Sequence, residues 1–339
     1  MINTLLRGAA RAACRLPLPL VRWLAGPPRV VDGQTLDPLV QFMVKYFSDP
    51  PGTLDSVEKT RQGFDQQGAW LAHRPDPRVK LQAWSLLGPH GAIACEIHRP
   101  PQAAAQGAPA LIFYHGGGHC AGSLQSHRDV CRQLALDGHC VVIAVDYRLA
   151  PEHRFPVGID DCIAAYDAVM AESAALGIDP DRIGVGGDSA GGNAAAVVAQ
   201  QRRACAHPPR LQMLWVPWVD MGRQSASYGH FALGYFLERP KMEWYTNHYL
   251  RSAADACDPK ASPLRGDVSG VCRAVLLVAG FDPLRDEGLA YAQKLEAAGV
   301  PTTLRLYSEL VHPFINVAGC VPAARRAFDD ATALLRQHL

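Results

Sequence analysis

Residues 183–199 spell IGVGGDSAGGNAAAVVA, an apolar run that leads through a glycine-flanked serine into a string of small residues. The apolar run predicts a buried strand and the small residues predict a helix, so Ser189 lies on a strand-to-helix turn. A nucleophile elbow has this layout, with the serine on a strained bend and its hydroxyl exposed. An ordinary glycine-rich turn can share the pattern, so the interpretation requires partners elsewhere in the chain.

The composition indicates a globular protein that acts on a small molecule. The 339 residues are 48% hydrophobic and 19% charged, which is enough apolar material for one large core or two modest ones. The formal net charge is +1 and no dense block of Lys and Arg is present. We therefore expect no nucleic-acid partner, and an uncharged substrate fits better.

The ten cysteines are scattered singly from Cys14 to Cys320, without a C-x-x-C pair or a Cys/His cluster. This spacing argues against both a zinc site and a disulfide framework. Reduced thiols are the expected state, as in a cytoplasmic protein. No motif in the sequence implies a metal ion or an organic cofactor.

The N-terminal 26 residues carry four arginines interleaved with apolar residues, and Pro17 and Pro19 interrupt the longest apolar stretch. The segment lacks the core of a signal peptide, and no run in the chain reaches the ~18 apolar residues of a membrane-spanning helix. A basic amphipathic helix on an anionic membrane is the alternative. We expect instead a surface helix that packs on the domain, without firm membrane association.

From about residue 93 onward, short apolar runs alternate with helix-length segments, which predicts an α/β fold with a mostly parallel sheet flanked by helices. Strands are predicted at Ile93–Arg99, Ala110–Tyr114, Cys140–Asp146, Ile183–Gly187, Leu211–Val216, Ala274–Ala279 and Thr303–Tyr307. Helices are predicted at Arg128–Asp137, Gly158–Ala175, Ala190–Arg203, Asp286–Ala298 and Val321–His338.

Two regions interrupt this alternation. In residues 1–75 the pattern predicts helices at Leu36–Phe47 and Ser56–Leu71. Residues 217–264 form a connection that is too long for one crossover helix, and such excess length is typical of an inserted lid. The α/β core then comprises residues 76–216 and 265–339. Nine aromatic side chains suggest an apolar pocket over the sheet, although packing within a small helical cap explains any one of them equally well: Trp215, Trp218, Tyr228, Phe231, Tyr235, Phe236, Trp244, Tyr245 and Tyr249.

A serine hydroxyl is a weak nucleophile, so Ser189 needs a base within reach and a carboxylate that holds the base. Asp282 lies in the loop that follows the predicted strand Ala274–Ala279. Asp286 competes for the role, but it opens the next helix, where the helix dipole favours carboxylates for structural reasons. We therefore predict Asp282 as the acid.

His312 follows the predicted strand Thr303–Tyr307, so it also lies beyond the carboxyl end of a strand. Ligands of open α/β sheets bind at that edge. The chain order Ser189, Asp282, His312 is the order of the α/β-hydrolase triad. His312 is the predicted general base.

The run His115-Gly116-Gly117-Gly118 follows the predicted strand Ala110–Tyr114. Residues without side chains let a substrate oxygen approach main-chain N–H groups, and this pattern is typical of the oxyanion loop of lipases and esterases. We predict donation from Gly117 and Gly118, with a third N–H from Ala190. His115 and Gly116 are expected to support the loop, and His115 is not expected to carry a proton.

Two further motifs are the run Asp146-Tyr147-Arg148-Leu149-Ala150-Pro151-Glu152 and the segment Asp282–Gly288. Together with the motifs above, they make the chain resemble the hormone-sensitive-lipase-like (bacterial family IV) esterases of the α/β-hydrolase fold. The matching motifs span most of residues 80–339. The resemblance implies hydrolysis of short-to-medium acyl esters, a cap built from residues 1–75 and 217–264, and a monomer or homodimer. One departure is Pro313, because the family usually places glycine after the catalytic histidine.

Two other functions use the same residues or the same fold. An amidase or deacetylase passes through a similar tetrahedral intermediate, and the sequence does not separate it from an esterase. A ligand receptor on the hydrolase fold usually lacks a triad member, whereas Ser189, Asp282 and His312 are all present. The leading prediction is a carboxylic-ester hydrolase with a small-molecule ester substrate.

Overall fold

A computed structural model describes residues 11–12, 14–48, 50, 52–71, 74–222 and 225–339. Its strands are β1 (Val30–Val31), β2 (Gln34–Thr35), β3 (Lys80–Gly88), β4 (Gly91–Arg99), β5 (Ala108–Tyr114), β6 (Val141–Val145), β7 (Ile178–Asp188), β8 (Leu211–Trp215), β9 (Arg273–Phe281) and β10 (Thr302–Val311). Its α-helices are α1 (Leu18–Ala25), α2 (Pro38–Phe47), α3 (Val57–Leu71), α4 (Leu124–Gly138), α5 (Val157–Ala171), α6 (Ala190–Gln201), α7 (Ala226–His230), α8 (Arg239–Tyr249), α9 (Arg285–Ala297) and α10 (Pro322–His338).

Eight of the strands form one sheet in the order β10-β9-β8-β7-β5-β6-β4-β3. β4 runs antiparallel to both of its neighbours, β3 and β6. The other adjacent pairs are parallel. The predicted fold class, a mostly parallel sheet flanked by helices, is confirmed.

The strand β3 was not predicted from the sequence. It lies at the edge of the sheet, and its first four residues are exposed, so the apolar run that identifies a buried strand is absent. The seven predicted strands and the seven predicted helices are all present, with ends that differ by a few residues. The largest difference is in β7, which begins five residues earlier than Ile183.

Both faces of the sheet are buried, as the alternation of β5 shows. Leu111 and Phe113 join a core that includes residues of α1, α2, α4 and α10, whereas Ile112 and Tyr114 join a core on the opposite face with α5, α6 and α9. A third apolar cluster lies in the 217–264 segment and reaches residues of the loops that follow β5 and β6. The parallel strands therefore present their carboxyl ends beneath this segment.

The helix α1 packs on the domain through Val21 and Ala25, while Trp23 on its other face is 76% exposed. The expected packing of the N-terminal segment thus holds for this helix, and residues 1–10 and 13 lie outside the described residues. None of the described helices is both long enough and apolar enough to cross a lipid bilayer.

Candidate active site

Ser189 occupies the turn between β7 and α6. Its backbone has φ 55° and ψ −117°, a conformation that residues other than glycine rarely adopt. Such strain costs about 1–3 kcal/mol and persists only where the surroundings impose it. The N–H of Ser189 donates to the carbonyl of Trp215 (2.9 Å), and its own carbonyl accepts from the N–H groups of Asn193 (3.0 Å) and Trp218 (3.1 Å). The turn is therefore held at both ends.

The helix α6 can follow this turn only because its first residues are small. A Cβ on Gly191 would collide with the carbonyl of Tyr114 on the neighbouring strand β5. Residues 190–200 of the helix are all buried. The run of small residues therefore allows the helix to pack closely against the sheet.

His312 and Asp282 meet because their strands, β10 and β9, pair in parallel and end at the same edge. Nδ1 of His312 lies 2.9 Å from Oδ2 of Asp282, and both side chains are buried. The other carboxylate oxygen accepts from the N–H of Leu284 at 2.8 Å. An ionised carboxylate only accepts, so Nδ1 carries the proton of this bond and Nε2 is left as the acceptor of the neutral ring.

The competing carboxylate, Asp286, is engaged elsewhere. Its Oδ1 lies 2.8 Å from Nε of Arg285, and its Oδ2 accepts from the N–H of Ser227 at 2.8 Å. Asp286 thus joins α9 to the start of α7, while Asp282 is the carboxylate that contacts His312.

The glycines after β5 form a tight loop beside Ser189. Gly117 and Gly118 have φ values of 124° and 62°, and a Cβ on Gly118 would collide with the ring of Tyr245. The carbonyl of Gly117 accepts from the N–H groups of Cys120 (3.1 Å) and Ala121 (2.9 Å). These two hydrogen bonds fix the orientation of the Gly117 carbonyl. Gly117 and Gly118 line a cavity together with Ser189 and His312.

Asp188 links this glycine loop to the nucleophile turn, a role that the sequence analysis missed. Its Oδ1 accepts from the N–H of Gly116 (2.9 Å) and lies 3.2 Å from Nε2 of His127, whose Nδ1 is 2.8 Å from Oγ of Ser126. Burial alone would raise the pKa of Asp188, but the interactions with His127 and Gly116 outweigh it and lower the pKa. No local pattern identifies His127, which is 61 residues away in sequence.

His115 supports the loop from behind. Its ring stacks on Tyr147 at 4.5 Å, and the hydroxyl of Tyr147 donates to the carbonyl of His115 at 2.6 Å. Burial lowers the pKa of His115 to about 4, so the ring is neutral at pH 7. These contacts fit a bracing role for His115.

The cavity over Ser189 has a volume of about 450 Å³, within the size range of small-molecule sites. One side is formed by the strand-end loops and includes Pro313, which follows His312 through a cis peptide bond. A second part of the lining is what we term the helical wall, the lining residues between 43 and 64 and between 236 and 245. Its main side chains are Met43, Tyr46, Phe47, Thr60, Phe64, Phe236, Leu237, Lys241 and Tyr245.

Of the nine aromatic residues singled out in the sequence, Phe236 and Tyr245 line this cavity. Trp218 and Tyr228 border a separate cavity of about 270 Å³. The other residues pack against one another or against the core, as Phe231 and Tyr235 do with Phe281. Packing thus accounts for most of the cluster.

The described residues contain no group of three or more His, Cys, Asp or Glu side chains placed to hold a metal ion. All ten cysteines fall within the described ranges, and none of them forms a disulfide.

A protein family described as alpha/beta hydrolase fold matches residues 111–316, which include Ser189, Asp282 and His312. The chain belongs to this alpha/beta hydrolase fold family. The hydrolase is 38% identical to the carboxylic ester hydrolase LipN of Mycobacterium tuberculosis, over 96% of this chain and 89% of that protein. It is also 38% identical to an ethyl acetate hydrolase of Pseudomonas putida, over 86% of this chain and 92% of that protein.

A solved structure of an esterase also resembles this chain. A thermostable esterase from Pseudomonas putida ECU1011 superimposes on the hydrolase with a TM-score of 0.85 at 31% identity, covering 91% of this chain and 99% of that one. The resemblance to hormone-sensitive-lipase-like esterases and the predicted class, a carboxylic-ester hydrolase, are both confirmed. The individual site residues and the division into core and cap stay predictions.

Proposed function

We propose that the hydrolase is a serine carboxylesterase that cleaves short-to-medium acyl esters through an acyl-enzyme formed on Ser189. One observation carries the proposal. Ser189, His312 and the glycine loop border a single cavity, and His312 is held by a buried carboxylate at 2.9 Å. Nucleophile, base and oxyanion donors are thus available to one bound ester.

In the proposed first step, Nε2 of His312 takes the proton of the Ser189 hydroxyl while its oxygen attacks the acyl carbon. The negative charge on the carbonyl oxygen is stabilised by the N–H groups of Gly117, Gly118 and Ala190. His312 then protonates the departing alkoxide, leaving the acyl group on Ser189. Asp282 keeps the imidazole oriented and stabilises its charged form.

In the second step, water enters the place of the alcohol and His312 removes its proton as the oxygen attacks the acyl carbon. Collapse of the second intermediate returns the proton to Ser189 and releases the carboxylic acid. His312 returns each proton that it takes up within the same half-reaction, so the enzyme ends the cycle in its starting protonation state.

The chain-length range, which the family resemblance implies, is supported by the size of the cavity. A volume of about 450 Å³ accommodates a small acyl group together with its leaving alcohol. We further propose that the N-terminal helices and residues 217–264 act as the cap of this site, since α2, α3 and α8 supply its wall.

The proposal is tested by intact mass after treatment with a fluorophosphonate, together with turnover of p-nitrophenyl esters of increasing acyl length. We expect one adduct, its loss in Ser189→Ala, and a maximum rate at short or medium chains. No adduct and no turnover would contradict the assignment of Ser189. A matched anilide that is cleaved as well as its ester would instead identify an amidase.

A further inference from the structure

We propose that Arg61 and Asp65 of α3 are positioning residues, which hold the oxyanion loop from outside and couple its geometry to the helix that lines the substrate cavity. The inference rests on the proposed esterase function. It concerns residues that the sequence motifs do not include, on a helix outside the α/β core.

Arg61 uses its guanidinium to bridge two loops. Its Nε donates to the carbonyl of Cys120 (2.9 Å), and its Nη2 donates to the carbonyl of Ala150 (2.9 Å). Nη1 and Nη2 also form a two-point ion pair with the carboxylate of Glu152 (3.0 and 2.6 Å). The planar, five-donor guanidinium suits such a geometry, which a lysine cannot reproduce.

The contact at Cys120 leads directly to the proposed oxyanion donors. The N–H of Cys120 donates to the carbonyl of Gly117, so the peptide groups on both sides of Cys120 are fixed, one by the glycine loop and one by Arg61. The contact at Ala150 adds to this, because the N–H of Ala150 donates to the carbonyl of His119 (2.8 Å). Arg61 thus closes a ring of hydrogen bonds around the loop.

Asp65 lies one helical turn further along α3, on the same face as Arg61. Its Oδ1 accepts from the hydroxyl of Ser123 at 2.5 Å. The Ser123 oxygen is also the N-cap of α4, because it accepts from the N–H of Ser126. The helix α3 therefore holds the segment that leaves the oxyanion loop at two successive points, Cys120 and Ser123.

A neighbouring face of α3 borders the cavity through Thr60, Gly63 and Phe64. The hydroxyl of Thr60 also accepts from Nζ of Lys241 on α8, another residue of the helical wall. One helix therefore contacts both the substrate space and the oxyanion loop. A displacement of α3 by a substrate would be transmitted to the loop through Arg61.

The experiment compares kcat and KM of the wild type, Arg61→Met and Arg61→Lys on p-nitrophenyl acetate and on longer esters. Misplacing a catalytic group by about 1 Å can slow chemistry by about 100-fold, so a smaller displacement of the donors should slow it by about tenfold to 100-fold. We expect Arg61→Met to lower kcat by this factor at every acyl length with little change in KM. Arg61→Lys is expected to recover part of the loss, because it reaches one carbonyl at a time.

The matched control is Arg78→Met, which removes an exposed arginine whose two-point ion pair is with Asp76. It should leave kcat unchanged. Active enzyme is counted by fluorophosphonate titration and the Tm is measured for each variant, so that kcat is expressed per folded site. An Arg61→Met kcat per site equal to that of the wild type would overturn the proposal, as would a loss confined to KM for long esters.

A second variant keeps the test decisive where Arg61→Met fails to fold. Asp65→Asn leaves the Arg61 contacts intact, and we expect it to lower kcat by about threefold, in proportion to the single bond it weakens. An unchanged kcat per titrated site in Asp65→Asn and in Arg61→Lys would reject the positioning role. An inactive wild type would reject the proposed function itself, which is a different result.

Discussion

The two sides of the cavity are built differently. Ser189, His312 and Asp282 follow parallel strands of one sheet, and their exposed fractions are 7%, 4% and 1%. On the helical wall, Tyr46 and Phe47 are 50% and 39% exposed, whereas Met43, Thr60 and Tyr245 are buried. The strand-end side is therefore determined by core packing, whereas the exposed part of the wall, at Tyr46 and Phe47, can change its side chains without disturbing the sheet.

Under the proposed function, this difference implies separate tasks for the two sides. Chemistry requires atoms held in place, and the hydrogen-bonded ends of β7, β9 and β10 would provide that. Selection among acyl groups requires a surface of suitable shape, which α2, α3 and α8 would provide. Substitutions on the strand-end side should therefore change kcat for all esters, and substitutions on the wall should change the ranking of the esters.

The largest effect is expected for Asp282→Asn. An amide in place of the carboxylate favours the wrong tautomer of His312, a change that lowers kcat by about 10,000-fold in a comparable triad. We expect a loss of this order on p-nitrophenyl butyrate, measured as kcat/KM. Asp286→Asn is the matched control, because Asp286 contacts Arg285 and Ser227. Similar losses in the two variants would contradict the assignment.

The next largest effect is expected for Gly118→Ala. Its Cβ would collide with the ring of Tyr245, which displaces a proposed oxyanion donor and lowers kcat by about 100-fold to 1,000-fold. Gly107→Ala is the control, because Gly107 also has a positive φ, 69°, but no atom of the described residues lies within 4 Å of the added Cβ. Both variants share backbone strain, so a loss of kcat in Gly107→Ala as well would contradict the steric explanation.

The third prediction concerns how burial in the core affects the stability of the protein at acid pH. Burial, with the charges of Arg132 and Arg128, lowers the pKa of His98 from 6.5 to about 3. Between these values the unfolded chain binds a proton that the folded protein does not, so stability falls as the pH falls from 6.5. At pH 5 the loss from this residue is about 2 kcal/mol.

His98→Leu removes this titration, and among the described residues neither ring nitrogen of His98 has a hydrogen-bond partner to lose, although Nε2 lies 3.7 Å from Oε2 of Glu96. We expect urea unfolding at pH 8 and pH 5 to show a smaller loss of stability in His98→Leu than in the wild type, by about 2 kcal/mol. The exposed His90 provides the control variant, His90→Leu. An identical loss in all three proteins would show that His98 does not contribute.

The smallest effect is expected on the helical wall. Phe47→Ala removes an apolar side chain from the cavity, so we expect kcat/KM to fall for hexanoate and octanoate esters and to stay constant for acetate. The expected factor is about threefold to tenfold, near the low end for a lost apolar contact because Phe47 is already partly exposed. Leu87→Ala, at an 83% exposed position on β3, is the control. An equal loss on acetate would contradict the separation of tasks.

The sequence predicts the strand-end side well because its signals are local. An apolar run followed by a glycine, an aspartate or a histidine marks a strand end, and parallel pairing then brings Asp282 and His312 together. The ends of β7 and β10 were less predictable. Asp179-Pro180-Asp181 has turn composition, yet it lies within β7, and β10 continues through a register shift between Tyr307 and Val311.

The supporting contacts were not predictable from the sequence, because they join distant residues of ordinary type. Asp188 and His127 are 61 positions apart, and Arg61 and Ala150 are 89 positions apart. Neither pair follows a helical or strand periodicity. Such contacts are determined by how α3 and α4 pack beside the loop, which depends on the whole fold.

The buried helix behind Ser189 also limits how the hydrolase can be altered. Residues 190–200 leave no exposed face, and Gly191 already touches the backbone of β5. A larger substrate cannot be accommodated by moving the proposed nucleophile, since any shift of Ser189 would have to displace this helix and the strand beside it. Broader substrate range, in evolution or in the laboratory, is therefore open mainly to changes between residues 43 and 64 and between 236 and 245.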